Sequence, residues 1–107
     1  MQENKLATLE AEKSIAEAKE SMSSHLSLAK LRISQLPKSI NSLTNHLLEL
    51  DLDQCRQLTC LTPLSILTNL QQLNISGCDQ VTDLAPLAKL QNLQRLIISA
   101  WSNKTDR

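Results

Sequence analysis

Leu70-Gln71-Gln72-Leu73-Asn74-Ile75-Ser76-Gly77-Cys78 has a near copy before it and another after it. Leu47-Leu48-Glu49-Leu50-Asp51-Leu52-Asp53-Gln54-Cys55 lies 23 residues upstream, with its apolar residues and its cysteine in the same places. Leu93-Gln94-Arg95-Leu96-Ile97-Ile98-Ser99-Ala100-Trp101 lies 23 residues downstream, with Trp101 where the cysteines stand. The linking halves repeat too. Leu58-Thr59-Cys60-Leu61-Thr62-Pro63-Leu64 and the residues up to Asn69 align with Val81-Thr82-Asp83-Leu84-Ala85-Pro86-Leu87 and the residues up to Asn92. Alternation of apolar and polar residues sends the leucines to one face of a strand. One copy cannot bury its leucines by itself, so successive copies must stack.

L-x-x-L-x-L-x-x-C/N at a fixed period in the twenties is the leucine-rich repeat signature. The expected fold is α/β: an open right-handed solenoid with an N-terminal capping helix, a parallel sheet of about four short strands on its concave side, and short convex helices or 3₁₀ turns. Pro63 and Pro86 suit the first turn of such short helices. The expected divisions are a capping helix over 1–24, repeats over 25–101 and a polar tail over 102–107.

At 107 residues the chain is one small domain, with Lys+Arg and Asp+Glu both 11 and no net charge. No global field points to nucleic acid or to an anionic membrane. Aromatic content is 1%, which disfavours stacking platforms for single-stranded nucleic acid. A single glycine excludes any Gly-rich phosphate loop. The N-terminus shows no apolar core of a secretion signal, and no run is long enough to cross a bilayer. Three cysteines without a signal point to free thiols in a reducing cytoplasm. On that reading the acceptor patterns Asn74-Ile75-Ser76 and Asn103-Lys104-Thr105 carry no meaning.

Residues 3 to 22 read as a helix rich in Glu, Ala, Lys and Leu. Its apolar stripe is expected to be Leu6, Leu9, Ile15, Ala16 and Met22. Capping of an open solenoid end is the favoured role, with a coiled-coil strand as the other. His25-Leu26-Ser27-Leu28-Ala29 then reads as a strand with Leu26 and Leu28 inward, opening a degenerate first repeat.

Thr68 to Ser76 and Val81 to Ala88 resemble bacterial internalin-type repeats. Ser14-Ile15-Ala16-Glu17-Ala18-Lys19, then His25-Leu26-Ser27-Leu28, then Leu36-Pro37-Lys38-Ser39-Ile40-Asn41-Ser42-Leu43-Thr44 resembles the opening of the repeat region in Roco-type proteins. In those proteins a GTPase domain and a dimerising domain follow the repeats. Neither is present in this sequence, and without a phosphate loop the chain is expected to hydrolyse no GTP. The resemblance implies a recognition module, free-standing or part of a longer protein. It also implies that Cys55 and Cys78 lie inside and tie each turn to the next repeat.

A disulfide between those two is the alternative, since stacked rungs bring equivalent residues about 5 Å apart. Cys60 matches Asp83 and is expected to be exposed. It has no second pair of ligands at zinc spacing, so no metal and no cofactor are expected. His46, at the place of Asn69 and Asn92, is expected to serve a turn, and His25 to face outward. No nucleophile and base lie at a suggestive spacing, so the chain is read as no enzyme. Alternation puts Glu49, Asp51 and Asp53 outward on the second rung, Gln72, Asn74 and Ser76 on the third, and Arg95, Ile97 and Ser99 on the fourth. The expected function is recognition of a protein or peptide on that face, with the carboxylates receiving Lys or Arg. A solvated surface that resists sheet aggregation is the plainer account of the same carboxylates. The alternative function is structural: a dimerising N-terminal fragment of a larger repeat protein, joined through its C-terminal edge, where Trp101 forms a lid or a homotypic contact.

Overall fold

A computed structural model describes residues 5–99. The order is α1 (Lys5–Ser21), β1 (His25–Ser27), a 3₁₀ turn (Lys38–Leu43), β2 (Glu49–Asp51), a second 3₁₀ turn (Thr62–Ile66), β3 (Gln72–Asn74), a third (Ala85–Lys89), and β4 (Arg95–Ile97). The four strands form one parallel sheet in sequence order. Leu26, Leu50, Leu73 and Leu96 stand side by side across it, as the repeat spacing requires. So do His25, Glu49, Gln72 and Arg95, and likewise Ser27, Asp51, Asn74 and Ile97.

Each strand is three residues long, and hydrogen bonds at both ends carry the pairing further. Before β2, the carbonyl of Ser24 accepts the N–H groups of both Leu48 and Glu49. The Leu48 carbonyl does the same for Gln71 and Gln72, and Gln71 for Gln94 and Arg95. Beyond the strands, Leu28 N–H donates to Asp51, Leu52 to Asn74 and Ile75 to Ile97. The chain then turns through a left-handed residue: Lys30 (φ +69°), Gln54 (φ +61°) and Gly77 (φ +74°), all at the equivalent place.

The core runs through all repeats as one cluster. Leu50, Leu73, Leu52, Leu58, Leu64 and Leu70 are fully or almost fully buried. Each such side chain contributes about 1.5–3 kcal/mol. The 3₁₀ turns close the side opposite the sheet, with Pro63 and Pro86 in their first turns, as expected.

Two readings of the sequence need correction. In α1 the buried face is Ala7, Ala11, Ile15 and Ala18, while Leu6 is 66% and Leu9 61% exposed, and Met22 and Ala16 also face outward. Only Ile15 of the expected stripe is buried. The helix lies close against β1 and the first 3₁₀ turn, and small side chains permit that approach. Ser76, expected outward, is buried, because its hydroxyl accepts the Ser99 N–H at 3.0 Å and lies 3.0 Å from the Ser99 hydroxyl. The fourth rung behaves differently from the inner ones: Leu96 is 40% exposed, since no further rung covers it among the described residues. Trp101 lies outside the described residues.

Candidate functional site

The sheet has one face against the core and one face open. Strand pleating therefore brings every first and third strand residue to the open face. Glu49, Asp51, Gln72, Asn74 and Ile97 meet there and, with His25, Leu50 and Leu73, line a shallow depression of about 160 Å³. Arg95 is exposed on β4 and Asp53 is half-buried just past β2; neither lines that depression.

The carboxylates are not idle. Glu49 Oε1 lies 3.1 Å from His25 Nδ1, and its Oε2 accepts the Gln72 side-chain amide at 3.3 Å. Glu49 thus links three adjacent strands along one row. Asp51 Oδ1 accepts the Asp53 N–H at 2.9 Å, and Asn74 Oδ1 accepts the Ser76 N–H at 2.9 Å in the same manner. Ser27 accepts the Ala29 N–H more loosely, at 3.4 Å. These bonds hold the rung ends, so two of the three carboxylates have structural employment that alternation alone does not disclose. Asp53 has no side-chain bond among those of the described residues.

A second ladder runs along the entry to each strand. His46 Nδ1 donates to the Ser23 carbonyl at 2.9 Å, which places the proton on that nitrogen. Asn69 Nδ2 donates to the Asn45 and Thr44 carbonyls, and Asn92 Nδ2 to that of Thr68. The turn role expected of His46 is therefore found, and its 23-residue match to the asparagines was the signal for it.

Cys55 and Cys78 are buried free thiols. Their S–H groups donate to the carbonyls of Leu28 and Leu52, both at 3.1 Å, so each ties its turn to the preceding rung and not to the following one. Burial pushes Cys55 up to about 12 and Cys78 up to about 11. Cys60 is exposed as expected, and its bond to the Thr62 hydroxyl draws its pKa below the ordinary thiol value. Among the described residues no group of three His, Cys, Asp or Glu could hold a metal ion. No helix among them is long and apolar enough to cross a membrane.

The crystal structure of an internalin C2 from Listeria monocytogenes is similar to this chain: TM-score 0.52, 22% identity, over 84% of this chain and 52% of that one. The fold is a leucine-rich repeat. An internalin, inlF, from the same organism matches 92% of this chain and 43% of its own at 18% identity, with a TM-score of 0.36. This chain thus spans about half the length of these internalins. No family model matches the sequence, and no curated protein does.

Proposed function

We propose that the chain is a non-catalytic leucine-rich repeat recognition module that binds a protein or peptide on its open sheet face. The binding residues are Glu49, Asp51, Asp53, Gln72, Asn74, Arg95 and Ile97. One observation carries the reading: adjacent strands align His25, Glu49, Gln72 and Arg95, and next to them Asp51, Asn74 and Ile97, on the side away from the core. The surface is acidic at β2, neutral at β3 and mixed basic and apolar at β4. Glu49 and Asp51 still have oxygen lone pairs to offer, and Asp53 has both oxygens, so a Lys or Arg of a partner gains charge-assisted bonds there. Gln72 and Asn74 set its register, and Ile97 supplies apolar contact. Helix α1 acts as the cap of the first rung. Three free thiols support a reducing, cytoplasmic setting. Screening a display library of random peptides against the full chain tests the reading. Enriched peptides should be basic, and should lose binding to the combined Glu49→Gln, Asp51→Asn and Asp53→Asn variant as well as in high salt. Peptides that bind the variant equally well remove the sheet face from the proposal.

A second reading rests on the exposure of Leu96 and Ile98 at β4 and of Leu84 just before the third 3₁₀ turn. On that reading the β4 side joins a second copy, or other repeats of a larger protein such as a Roco-type GTPase. Sedimentation velocity over a hundredfold concentration range separates the two. A monomer throughout leaves only the sheet face; a dimer lost on Leu96→Glu assigns the β4 side.

A further inference from the structure

Lys30, Arg32, Gln54, Arg56 and Gln57, with Leu31, line a depression of about 490 Å³ beside the rung-end turns of the first two repeats. No carboxylate is among them. Arg32 and Arg56 hold equivalent places, each two residues past a left-handed turn residue, Lys30 or Gln54. In the third repeat that place belongs to Asp79, two past Gly77, and Arg56 Nη1 reaches its Oδ2 at 3.2 Å. Along this row one neighbouring pair attracts and the other repels. Arg32 and Arg56 line the same depression just past the strands, and like charges held near one another repel. Folding therefore gives no reason for a second arginine at position 32. Lys30 adds another cation, and neither Lys30 nor Arg32 makes an ion pair among the described residues. Asp53, whose carbonyl accepts the Lys30 N–H, is the acid closest in the ladder, and it stands outside the depression. With Arg56 balanced by Asp79, two positive charges remain uncompensated.

We propose that this depression receives a phosphate monoester carried by a protein partner. Such a group brings a charge of about −1.5 to −2 and three acceptor oxygens. That charge matches the two spare cations, where one carboxylate would leave a cation unmatched. Planar guanidinium groups and the amides of Gln54 and Gln57 supply more donors than a carboxylate can use. A protein is favoured over a lipid headgroup as the carrier. The exposed large apolar side chains lie elsewhere, on or just after α1, at the second and third 3₁₀ turns and at β4, and none of them lines this depression to enter a bilayer. The proposal shares no residue with the sheet face and does not rest on it.

The test is an amide-shift titration of the full chain with O-phosphoserine, with glutamate as the control anion. The expected result is saturable shifts confined to residues 30–32 and 54–57, with glutamate weaker by about tenfold or more. Arg32→Gln, at an exposed position, should weaken phosphoserine by about tenfold while leaving the β2 and β3 resonances in place. Lys30→Gln should act in the same direction. Absence of saturable shifts overturns the proposal. Equal affinity for glutamate also overturns it and makes the depression a general carboxylate site. Sedimentation with phosphatidylserine vesicles, lost in Arg32→Gln and unmatched by any phosphoserine shift, assigns the site to lipid and overturns the protein carrier.

Discussion

Gly77 at φ +74° is the residue its turn asks for, and its counterparts Lys30 and Gln54 take the same conformation with side chains attached. A Cβ on Gly77 would meet Gln54 Cγ at 3.1 Å and Gln54 Cα at 3.2 Å. Gly77→Ala is therefore expected to cost about 1–2 kcal/mol from left-handed strain, measured by urea denaturation. Part of the loss should vanish when Gln54→Gly is added, because the closer contact goes with it; a strictly additive pair would show that the contact is relieved at no cost. The buried thiols make a second case. Both have raised folded-state values, about 12 for Cys55 and about 11 for Cys78, against an unfolded value of 9.0. A raised thiol pKa means that the folded chain holds its proton more tightly. Its contribution is fully present below pH 9 and is lost as pH rises toward 11 and 12. The expected slope above pH 9 is about 1.4 kcal/mol per pH unit for each thiol. Cys78→Ala should flatten that slope while lowering stability near neutral pH by about 0.5–1.5 kcal/mol, since the Leu52 carbonyl loses one of its two donors and keeps the Cys55 N–H. Unfolding curves between pH 7 and 11 check both.

Helix α1 shows where the sequence speaks and where it is silent. The strands were legible because each apolar place recurs every 23 residues, so one copy explains the next. The helix occurs once and offers no such check. Size favoured Leu6 and Leu9, but close packing against the first repeat selected Ala7, Ala11 and Ala18. The candidate sheet face was legible as far as alternation reaches, and Glu49, Asp51, Gln72, Asn74 and Ile97 do come together. What alternation could not give was the bond of Glu49 to both neighbouring strands, or the bond of Asp51 to its own rung end. Those depend on side-chain reach across the sheet. The shared left-handed turn was hidden as well, since only one of its three residues is glycine. The helix gives a sharp element-scale prediction. Ala11→Leu, at a fully buried place, should overpack the interface and cost about 1–3 kcal/mol. Leu9→Gln, although it removes a large apolar side chain, should change stability by less than about 0.5 kcal/mol. Thermal melts of the two variants decide it, and the reverse order would restore the leucine face as the buried one.

A solenoid is close to one-dimensional, so each rung is held mainly by the rungs on either side. Leu50 and Leu73 each have a rung on both sides and are 2% and 0% exposed. Leu96 has β3 on one side and no rung on the other among the described residues. The third 3₁₀ turn has no buried residue, and Leu87 and Leu93 only partly join the core. Stability should therefore fall along the chain from the inner rungs toward β4. Amide exchange reads this directly, because each rung has its own ladder donors. The Leu52 and Gln54 amides, bonded to the third rung, should exchange through global unfolding. The Ile75 and Gly77 amides, bonded to Ile97 and Ser99, should exchange earlier through local release of the fourth rung. Substitution should follow the same gradient. Leu73→Ala should cost about 2–5 kcal/mol, as expected for a fully enclosed leucine. Leu96→Ala should cost about 1–2 kcal/mol, because a side chain already 40% exposed has less transfer energy to lose. Equal protection of both amide sets, with equal cost for the two leucines, would mean that something covers β4 in solution, and the dilution series would then show what size of assembly supplies it.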